Sequence, residues 1–414
     1  MKILVVVDSI NVNDSSGSKA NVALIQNIVT CGFEVLVLHY SQKDIALIGT
    51  TCIAVSEKKW NFLYFLSRTE RIFTRITKIS LNPYLESWFG FSFTFLNDSN
   101  SIVKAVKDHQ YFQPDLLLTL SKGASFRPHH ALLKVPELHD KWIAYVHDPY
   151  PFHFYPRPYN WIQPGYYQKE QFFRNVSERA KYSAFPSQLL KEWMGSYFDS
   201  FLKSGIIIPH QIMKMSTQGV SLPSYFDPAK FSLLHAGNLM KQRSPFSLVS
   251  AYLELLAKYP EAKLNTQLLL LGPASYFEKE LDNLNAEIPS LVVENRSVPF
   301  IEVLALQEKV SVNIILESKS EISPFLPGKF PHCIEANRPI LLISPYCSET
   351  RRLLGENYEF WSEEDNVKRI YEHIEQMYLA WLSNDLKILS REDLKFYLSA
   401  EYLKEQLMAI NDIL

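Results

Sequence analysis

The sequence predicts an α/β protein with two successive, doubly wound parallel sheets and helices at its C-terminus. Short, fully apolar runs alternate with segments of helical period along most of the chain. Runs of this kind are typical of strands buried on both faces of a parallel sheet. The alternation forms two series, which separate near residues 205–230. Because such sheets bind ligands beyond the carboxyl ends of their strands, we predict two domains that face each other across a cleft.

The first series predicts an N-terminal domain of residues 1–205. It opens with one βαβ unit, in which residues 3–7 form a strand, residues 20–29 a helix and residues 33–38 the next strand. Further strands of this sheet are predicted at residues 116–120, 142–146, 183–185 and 205–208.

The second series predicts a C-terminal domain of residues 206–390. It opens with a strand over residues 231–236 and a helix over residues 245–258. Further strands are predicted at residues 266–271, 291–293, 312–316 and 340–344, with helices at 277–286 and 367–382. Residues 391–414 are predicted to contain one helix, residues 394–410, because a serine and two acidic residues, which are typical of a helix N-terminus, precede that run. We expect this helix to pack back on the N-terminal domain.

The composition is that of an ordinary globular protein with about two or three domains. The 414 residues are 47% hydrophobic and 21% charged, and the formal net charge of -2 argues against nucleic acid as a partner. The four cysteines form no C-x-x-C pair. Isolated thiols in a chain of this length fit a reducing compartment, so we expect a cytoplasmic location.

A cationic loop in the C-terminal half carries the main functional prediction. Residues 323–340 read as a loop, a short helix and a strand, and Lys329 lies at the start of the helix. An ammonium group at a helix N-terminus suits a phosphate group. Arg243 follows the strand 231–236 and can fork onto phosphate oxygens. We predict that the two cations hold a sugar nucleotide by its diphosphate; the alternative is that both side chains are solvated in plain turns.

Four segments follow one another in order in the C-terminal half. They are residues 235–245 with Arg243, the run 268–271 with Gly272, residues 295–299, and residues 324–339 with Lys329. In this order they resemble the GT-B glycosyltransferases, which consist of two Rossmann-like domains, and among them the retaining family 4 found in bacterial lipopolysaccharide and capsule synthesis. The resemblance covers residues 230–345 and extends to the N-terminal half only as topology.

The resemblance implies a metal-independent transferase that moves a sugar from a nucleoside-diphosphate sugar to a glycan or lipid-linked acceptor, with retention of configuration. Arg243 and Lys329 would clamp the diphosphate, and no metal or further cofactor is expected. The residues that would bind the donor are Gly17, Gly237, Asn238, Arg243, Gly272, Val298, Gly328, Lys329 and Glu335.

The sequence departs from the family at one pair of positions. The resemblance implies two acidic residues eight positions apart, and Pro324 and His332 stand there instead. Glu335, on the same helical face as His332, or Glu321 is then expected to contact the ribose.

In the N-terminal half, a polar loop over residues 14–18 contains Gly17, which we expect near the diphosphate and acceptor. His147 and Asp148 follow the strand 142–146, and we expect them to position or activate an acceptor hydroxyl. The alternatives are an ordinary polar loop for Gly17 and a buried structural turn for His147. His129, His130 and His139 are expected in surface positions or loops rather than as metal ligands, because no third ligand has useful spacing.

Residues 58–78 interleave basic and aromatic side chains, with Glu70 as the one acid. This pattern suits a membrane surface that carries anionic lipid. The alternative is an aromatic stripe that faces the core, with a solvated basic side.

Two other functions remain open. One is a sugar-nucleotide epimerase on the same scaffold, although Pro324 and His332 replace acids that such an enzyme would use. The other is a non-catalytic binding or assembly subunit, which the replaced acids favour. An NAD-dependent enzyme is poorly supported because neither first strand is followed by a G-x-G-x-x-G fingerprint.

Overall fold

The computed structural model describes residues 1–159 and 161–411, which form two compact α/β units. Unit 1 comprises Met1–Met213 together with the chain from Tyr397 onward, and unit 2 comprises Lys214–Phe396. The prediction of two doubly wound, parallel α/β sheets is confirmed. The last three residues of the predicted C-terminal segment, 412–414, lie outside the described residues.

The sheet of unit 1 is parallel throughout. Its strands are β1 (Lys2–Val7), β2 (Glu34–His39), β3 (Thr51–Ala54), β4 (Leu116–Leu120), β5 (Trp142–Tyr145), β6 (Tyr182–Phe185) and β7 (Gly205–Ile207). Their order is β3-β2-β1-β4-β5-β6-β7, and Val5 pairs with Val37 on one side and Leu118 on the other. The order reverses between β1 and β4, so the loops after these two strands border the expected ligand site.

The helices of unit 1 cover the faces of this sheet. They are α1 (Ser16–Thr30), α2 (Phe62–Thr77), α3 (Asn82–Phe89), α4 (Phe93–Asp108), α5 (Arg127–Leu132), α6 (Tyr166–Arg179), α7 (Gln188–Gly195) and α8 (Ser200–Ser204). The Ser15 side chain caps α1 by accepting the Ser18 backbone N–H at 3.1 Å. Gly17 therefore lies in the first turn of a helix, and the prediction of a loop up to residue 18 is wrong.

The sheet of unit 2 repeats the same winding. Its strands are β8 (Phe231–Ala236), β9 (Thr266–Leu271), β10 (Leu291–Glu294), β11 (Val312–Leu316), β13 (Ile340–Ile343) and β15 (Trp361–Ser362), with β12 (Ile322–Ser323) and β14 (Cys347–Ser348) as a separate pair. The order β10-β9-β8-β11-β13-β15 reverses between β8 and β11. The carboxyl ends of β8 and β11 therefore border the switch point of this sheet.

The helices of unit 2 follow its strands. They are α9 (Phe246–Lys258), α10 (Ala262–Asn265), α11 (Glu278–Glu287), α12 (Phe300–Lys309), α13 (Phe330–Glu335), α14 (Glu349–Leu354) and α15 (Val367–Leu382). One buried apolar cluster joins the inner faces of α9 and α15 to β8 and β9, and Tyr252 and Tyr378 are fully buried in it.

The end of the chain is two helices, so the prediction of one helix over residues 394–410 is wrong. They are α16 (Glu392–Tyr397) and α17 (Ala400–Asn411). The break has a local cause, because Ser399 accepts the Tyr402 N–H through its hydroxyl and so caps α17. Within unit 1, α17 packs on α1, and the Cys31 thiol donates to the Ala400 carbonyl at 3.1 Å.

Candidate functional site

The switch point of unit 2 brings the two predicted cations together. Arg243 lies in the loop that follows β8, and Lys329 lies at the start of α13, in the connection from β11 to β13. The positive charge of Arg243 lowers the pKa of Lys329, so the two side chains are electrostatic neighbours. The two cationic side chains, which follow different strands, are therefore neighbours at the carboxyl ends of the strands.

The Lys329 amine is held in a desolvated position. Burial, and then the charge of Arg243, lower the pKa of Lys329 to about 7. Its Nζ lies 3.3 Å from Nδ1 of His235, a fully buried residue of β8. Burial and the charges of Lys329 and Arg243 hold the pKa of His235 well below its usual range. The neutral ring can therefore accept a hydrogen bond from the Lys329 ammonium. An anion placed here would therefore raise the pKa of Lys329.

Two predicted glycines of the site are closely approached by other atoms, and a third is not. A Cβ on Gly237 would lie 2.9 Å from Nζ of Lys329. Gly272 has a φ of +131°, and a Cβ there would lie 2.5 Å from the Gly237 carbonyl oxygen. Both therefore keep the floor of the site open. A Cβ on Gly328 would meet nothing within 4 Å.

Arg243 is anchored on its own loop and faces a carboxyl group that the sequence analysis missed. Its Nη1 donates to the Asn238 carbonyl at 3.3 Å. Glu317, directly after β11, is buried, and burial raises its pKa. The charge of Arg243 opposes that rise, as do the hydroxyl groups of Ser323, Ser348 and Thr350. An acid immediately after the apolar run of residues 314–316 was the signal that could have identified Glu317.

The remaining predicted donor residues do not join this cluster. Val298 is half-buried and packs beside an apolar cluster that contains Leu271. His332 is buried with its ring against Phe300, at 5.2 Å between ring centroids. Glu335 is exposed at the far end of α13. It lies five positions after the first residue of α13, which is roughly 8 Å along the axis, so its contact with a ribose stays a prediction.

Pro324 and Glu321, the other two residues of the expected acidic pattern, lie on either side of β12. Pro324 is buried and Glu321 is exposed. Neither of the two positions named by the resemblance therefore holds an acid, whereas the charge of Arg243 acts on the buried Glu317.

In unit 1, His147 lies two residues beyond β5 and its hydrogen bonds define its tautomer. Asn21 donates through Nδ2 to the Ser121 carbonyl at 2.9 Å, so its amide oxygen faces His147 and accepts from Nε2–H at 2.8 Å. The lone pair is then on Nδ1. Burial, with His210 and His129 nearby, holds the pKa of His147 well below its usual range. The ring can accept a hydroxyl hydrogen bond but does not become charged near neutral pH.

Asp148 is half-buried beside His147, and burial raises its pKa to about 6. Gly17, in the first turn of α1, lies against the chain after β4, where a Cβ would be 3.5 Å from the Gly123 nitrogen. Gly17 therefore packs against the chain after β4, and His147 and Asp148 follow β5, the strand next to β4 in the sheet.

The prediction that the other histidines lie in surface positions or loops is wrong for His129, whereas His130 and His139 are half-buried. His129 and His130 belong to α5, where His129 is fully buried and its Nε2 lies 3.1 Å from the Tyr145 carbonyl oxygen. Nδ1 of His130 lies 2.7 Å from the Ser99 hydroxyl, and Nε2 of half-buried His139 lies 3.0 Å from the Leu132 carbonyl oxygen. Within residues 1–159 and 161–411, no group of three or more His, Cys, Asp or Glu side chains is placed to hold a metal ion.

A charged network at the switch point of unit 1 was also missed. Arg127 donates through Nε to Asp98 at 2.9 Å and contacts Asp8, directly after β1, at 3.4 Å. The Ser125 hydroxyl donates to Asp8, and the Tyr40 hydroxyl donates to Asp98 at 2.7 Å. Burial raises the pKa of both carboxyl groups despite the nearby guanidinium. The network lines a polar cavity of about 340 Å³, which also includes Ser9, Asp14, Ser41, Arg71, Thr94 and Lys122.

A larger cavity of about 500 Å³ in unit 2 lies away from these groups. Pro339 and Phe360, two of its lining residues, directly precede β13 and β15. The cavity therefore opens at the amino ends of the strands, whereas parallel sheets bind ligands at the carboxyl ends. We accordingly place the candidate site at the Arg243–Lys329 pair.

Solved structures resemble the chain over its whole length. Trehalose-6-phosphate synthase OtsA has a TM-score of 0.62 at 10% identity, with 100% of this chain and 99% of that chain covered. Anabaena HepE in complex with UDP and glucose gives 0.57 at 11% identity, with 100% and 97% covered. A Burkholderia xenovorans UDP-forming trehalose-phosphate synthase in complex with glucose-6-phosphate gives 0.63 at 8% identity, with both chains fully covered.

The chain has the GT-B fold. No protein-family model matches the sequence, and the search of curated proteins finds no match. At these identities the structural likeness establishes the architecture, and the activity has to be argued from the site.

Proposed function

We propose that this GT-B chain is a glycosyltransferase that moves a sugar from a nucleoside-diphosphate sugar to a glycan or lipid-linked acceptor. The observation that carries the proposal is the position of the Lys329 amine against the loop after β8, 2.9 Å from where a Cβ on Gly237 would lie; the same loop carries Arg243, whose charge acts on Lys329. A departing diphosphate gains negative charge, and fixed cations stabilise that charge in the transition state. The structural neighbours that hold UDP, such as HepE, support a nucleotide donor.

The two cations have different tasks in this mechanism. Arg243 keeps its charge at all working pH values and can contact two phosphate oxygens. Lys329, with a pKa of about 7, gains its full charge when the diphosphate arrives. Because the protein itself supplies this charge, the proposed reaction is metal-independent.

Retention of configuration is the finer part of the proposal, and the resemblance to family 4 supports it. A proton NMR spectrum of the product, recorded before anomers exchange, would show the same anomeric configuration as the donor. An inverted product would reject this part and leave the transferase proposal in place.

The polar cavity of unit 1 is the proposed acceptor site. Its carboxylates, hydroxyls and the Arg127 guanidinium offer both donors and acceptors, as a polyhydroxylated ligand requires. His147, through the lone pair on Nδ1, would orient the attacking hydroxyl. The solved structures with glucose and glucose-6-phosphate support a sugar acceptor for proteins of this fold.

Release of nucleoside diphosphate from a panel of nucleotide sugars tests the proposal. Thermal-shift screening with UDP, GDP and ADP first selects the base. Lys329→Ala and Arg243→Ala are each expected to lower turnover by about 100- to 1,000-fold, because each removes a preorganised charge. Lys279→Ala, an exposed lysine of α11, is the matched control and should keep full activity. Near-normal turnover in both site variants would reject the clamp.

A non-catalytic binding subunit is the second candidate, and one observation favours it. Pro324 and His332 stand where the resemblance implies acids, and both are buried. Such a subunit would bind UDP or a related nucleotide, with binding weakened by Lys329→Ala, but would release no diphosphate from any nucleotide sugar tested.

A further inference from the structure

Helix α2 shows an inverted amphipathic arrangement. Its apolar side chains at helical spacing face solvent, and Phe62 and Ile76 are 76% and 75% exposed. The opposite face packs toward α4 and is largely polar: Ser67 and Glu70 are buried beside the half-buried Leu63, and Thr74 donates to the Glu70 carboxylate at 3.0 Å. An ordinary surface helix has the reverse orientation. The exposed stripe consists of Phe62, Phe65, Ile72, Phe73 and Ile76.

The chain next to α2 adds further exposed aromatic groups. Trp60, directly before the helix, is exposed and contacts Phe65 edge-on at 6.0 Å between ring centroids. Tyr84 and Trp88 are both exposed in α3, four residues apart and so on one face of that helix. Large exposed apolar surfaces with polar rims mark sites of interaction, and Trp and Tyr are the side chains that favour a boundary between water and lipid.

A surplus of positive charge borders the exposed stripe. Arg68, Arg71 and Arg75 recur at three- and four-residue spacing, so they form one flank of α2. Glu57 neutralises Arg68 and Glu70 is buried on the opposite face, so the positive charge that stays exposed belongs mainly to Arg75 and to the lysines at the two ends of the helix. The other basic residues of the segment are the exposed Lys58, Lys59 and Lys78.

We propose that α2 lies flat on an anionic lipid surface. The stripe would enter the boundary between headgroups and acyl chains, while the basic flank reaches the lipid phosphates. The occupant is a lipid surface rather than a second copy of this chain, because a second copy would set the same unbalanced cations against each other. In the part of the chain that the structure describes, no helix has both the length and the apolarity needed to cross a bilayer.

The docked helix also borders the polar cavity of unit 1. Arg71, on the basic flank, lines that cavity and donates to Thr94 at 3.2 Å. A lipid surface against α2 would therefore bring headgroups close to the cavity. The consequence, which rests on the proposed function, is that the acceptor is an amphiphile anchored in the same surface.

Sedimentation of the full chain with lipid vesicles tests the docking without any assay of sugar transfer. Vesicles of phosphatidylcholine containing 30% phosphatidylglycerol should bind the chain, and vesicles of phosphatidylcholine alone should bind it at least tenfold more weakly. Neutralising Lys59, Arg75 and Lys78 to Gln should weaken binding by about 100-fold, since each charge contributes roughly a fivefold factor. The quadruple change F62S, F65S, I72S and I76S should abolish sedimentation.

The matched control replaces equally exposed apolar residues elsewhere. Leu264→Ser and Ile388→Ser, both in unit 2, should leave vesicle binding unchanged. Circular dichroism verifies that each variant is folded, and nucleotide binding in unit 2 should survive in all of them. Equal binding to both kinds of vesicle, or no binding to either, would overturn the proposal. So would a wild-type dimer that the quadruple change converts to monomers, because the stripe would then be a subunit interface.

Discussion

The pKa of Lys329 leads to a quantitative prediction about nucleotide binding. At pH 7 about half of the ligand-free molecules carry a neutral amine, because the pKa is about 7. A diphosphate beside Nζ favours the ammonium and raises this pKa, so binding takes up a proton. Affinity therefore falls as the pH rises above 7. Between pH 7 and 9 the Kd for UDP should increase by about 50-fold, provided that the pKa in the complex is about 10 or higher.

Isothermal titration calorimetry measures both parts of this prediction. Titrations of UDP at pH 7 in buffers of different ionisation enthalpy should show uptake of about half a proton per UDP. The Lys329→Met variant provides the comparison, because it keeps Arg243, which stays charged throughout this range. Its weaker binding should be independent of pH between 7 and 9 and should involve no proton uptake.

The same titrations can contradict the reasoning. A wild-type Kd that stays constant from pH 7 to 9, with no proton uptake at pH 7, would mean that Lys329 does not meet the diphosphate. Equal pH dependence in the wild type and in Lys329→Met would assign the titration to another group.

Three further predictions concern neighbouring groups. Gly237→Ala should weaken UDP binding at least tenfold in calorimetry, because its Cβ would displace the Lys329 amine, whereas Gly328→Ala should bind normally. Lys329→Met should raise the ligand-free Tm by about 2–4 °C in scanning calorimetry, more at pH 6 than at pH 9, since the depressed pKa makes the buried ammonium destabilising. Asn21→Leu should lower kcat/KM for the acceptor by about 100-fold with unchanged UDP affinity, because it removes the hydrogen bond that keeps the proton on Nε2 of His147. Unchanged acceptor kinetics would contradict a role for His147 in orienting the acceptor.

The sheets were predictable because parallel strands buried on both faces leave a strong sequence pattern. The runs Leu116–Leu120 and Val312–Leu316 were predicted with the bounds that the structure shows. The edge strand Thr51–Ala54 was missed because it is only four residues long and partly buried, so its apolar run is too short to stand out. The break before α17 was missed because one serine hydroxyl ends the helical pattern without any change in composition.

Much of the candidate site depends on distant pairings that a single sequence does not reveal. Arg243 and Lys329 could be predicted because each stands in a strand-end turn, where a parallel sheet collects its ligands. The contact between Asp8 and Arg127 joins residues 119 positions apart, and neither segment carries a motif. Glu317 was missed for the same reason: its environment of three hydroxyls comes from later segments of the chain.

Helix α2 illustrates what the structure adds to a periodic pattern. Its sequence fits both a core-facing aromatic stripe and a lipid-facing one, and the buried Ser67 and Glu70 exclude the first. Each large apolar side chain left in water forgoes about 1.5–3 kcal/mol of burial free energy. The stripe has five such side chains, among them Phe62, Phe65 and Ile76. After allowance for their partial burial, folding leaves on the order of 5–10 kcal/mol of burial free energy unrealised in the stripe. Contact with a lipid surface would recover part of this free energy, and the adjacent arginines would direct that contact to anionic lipid.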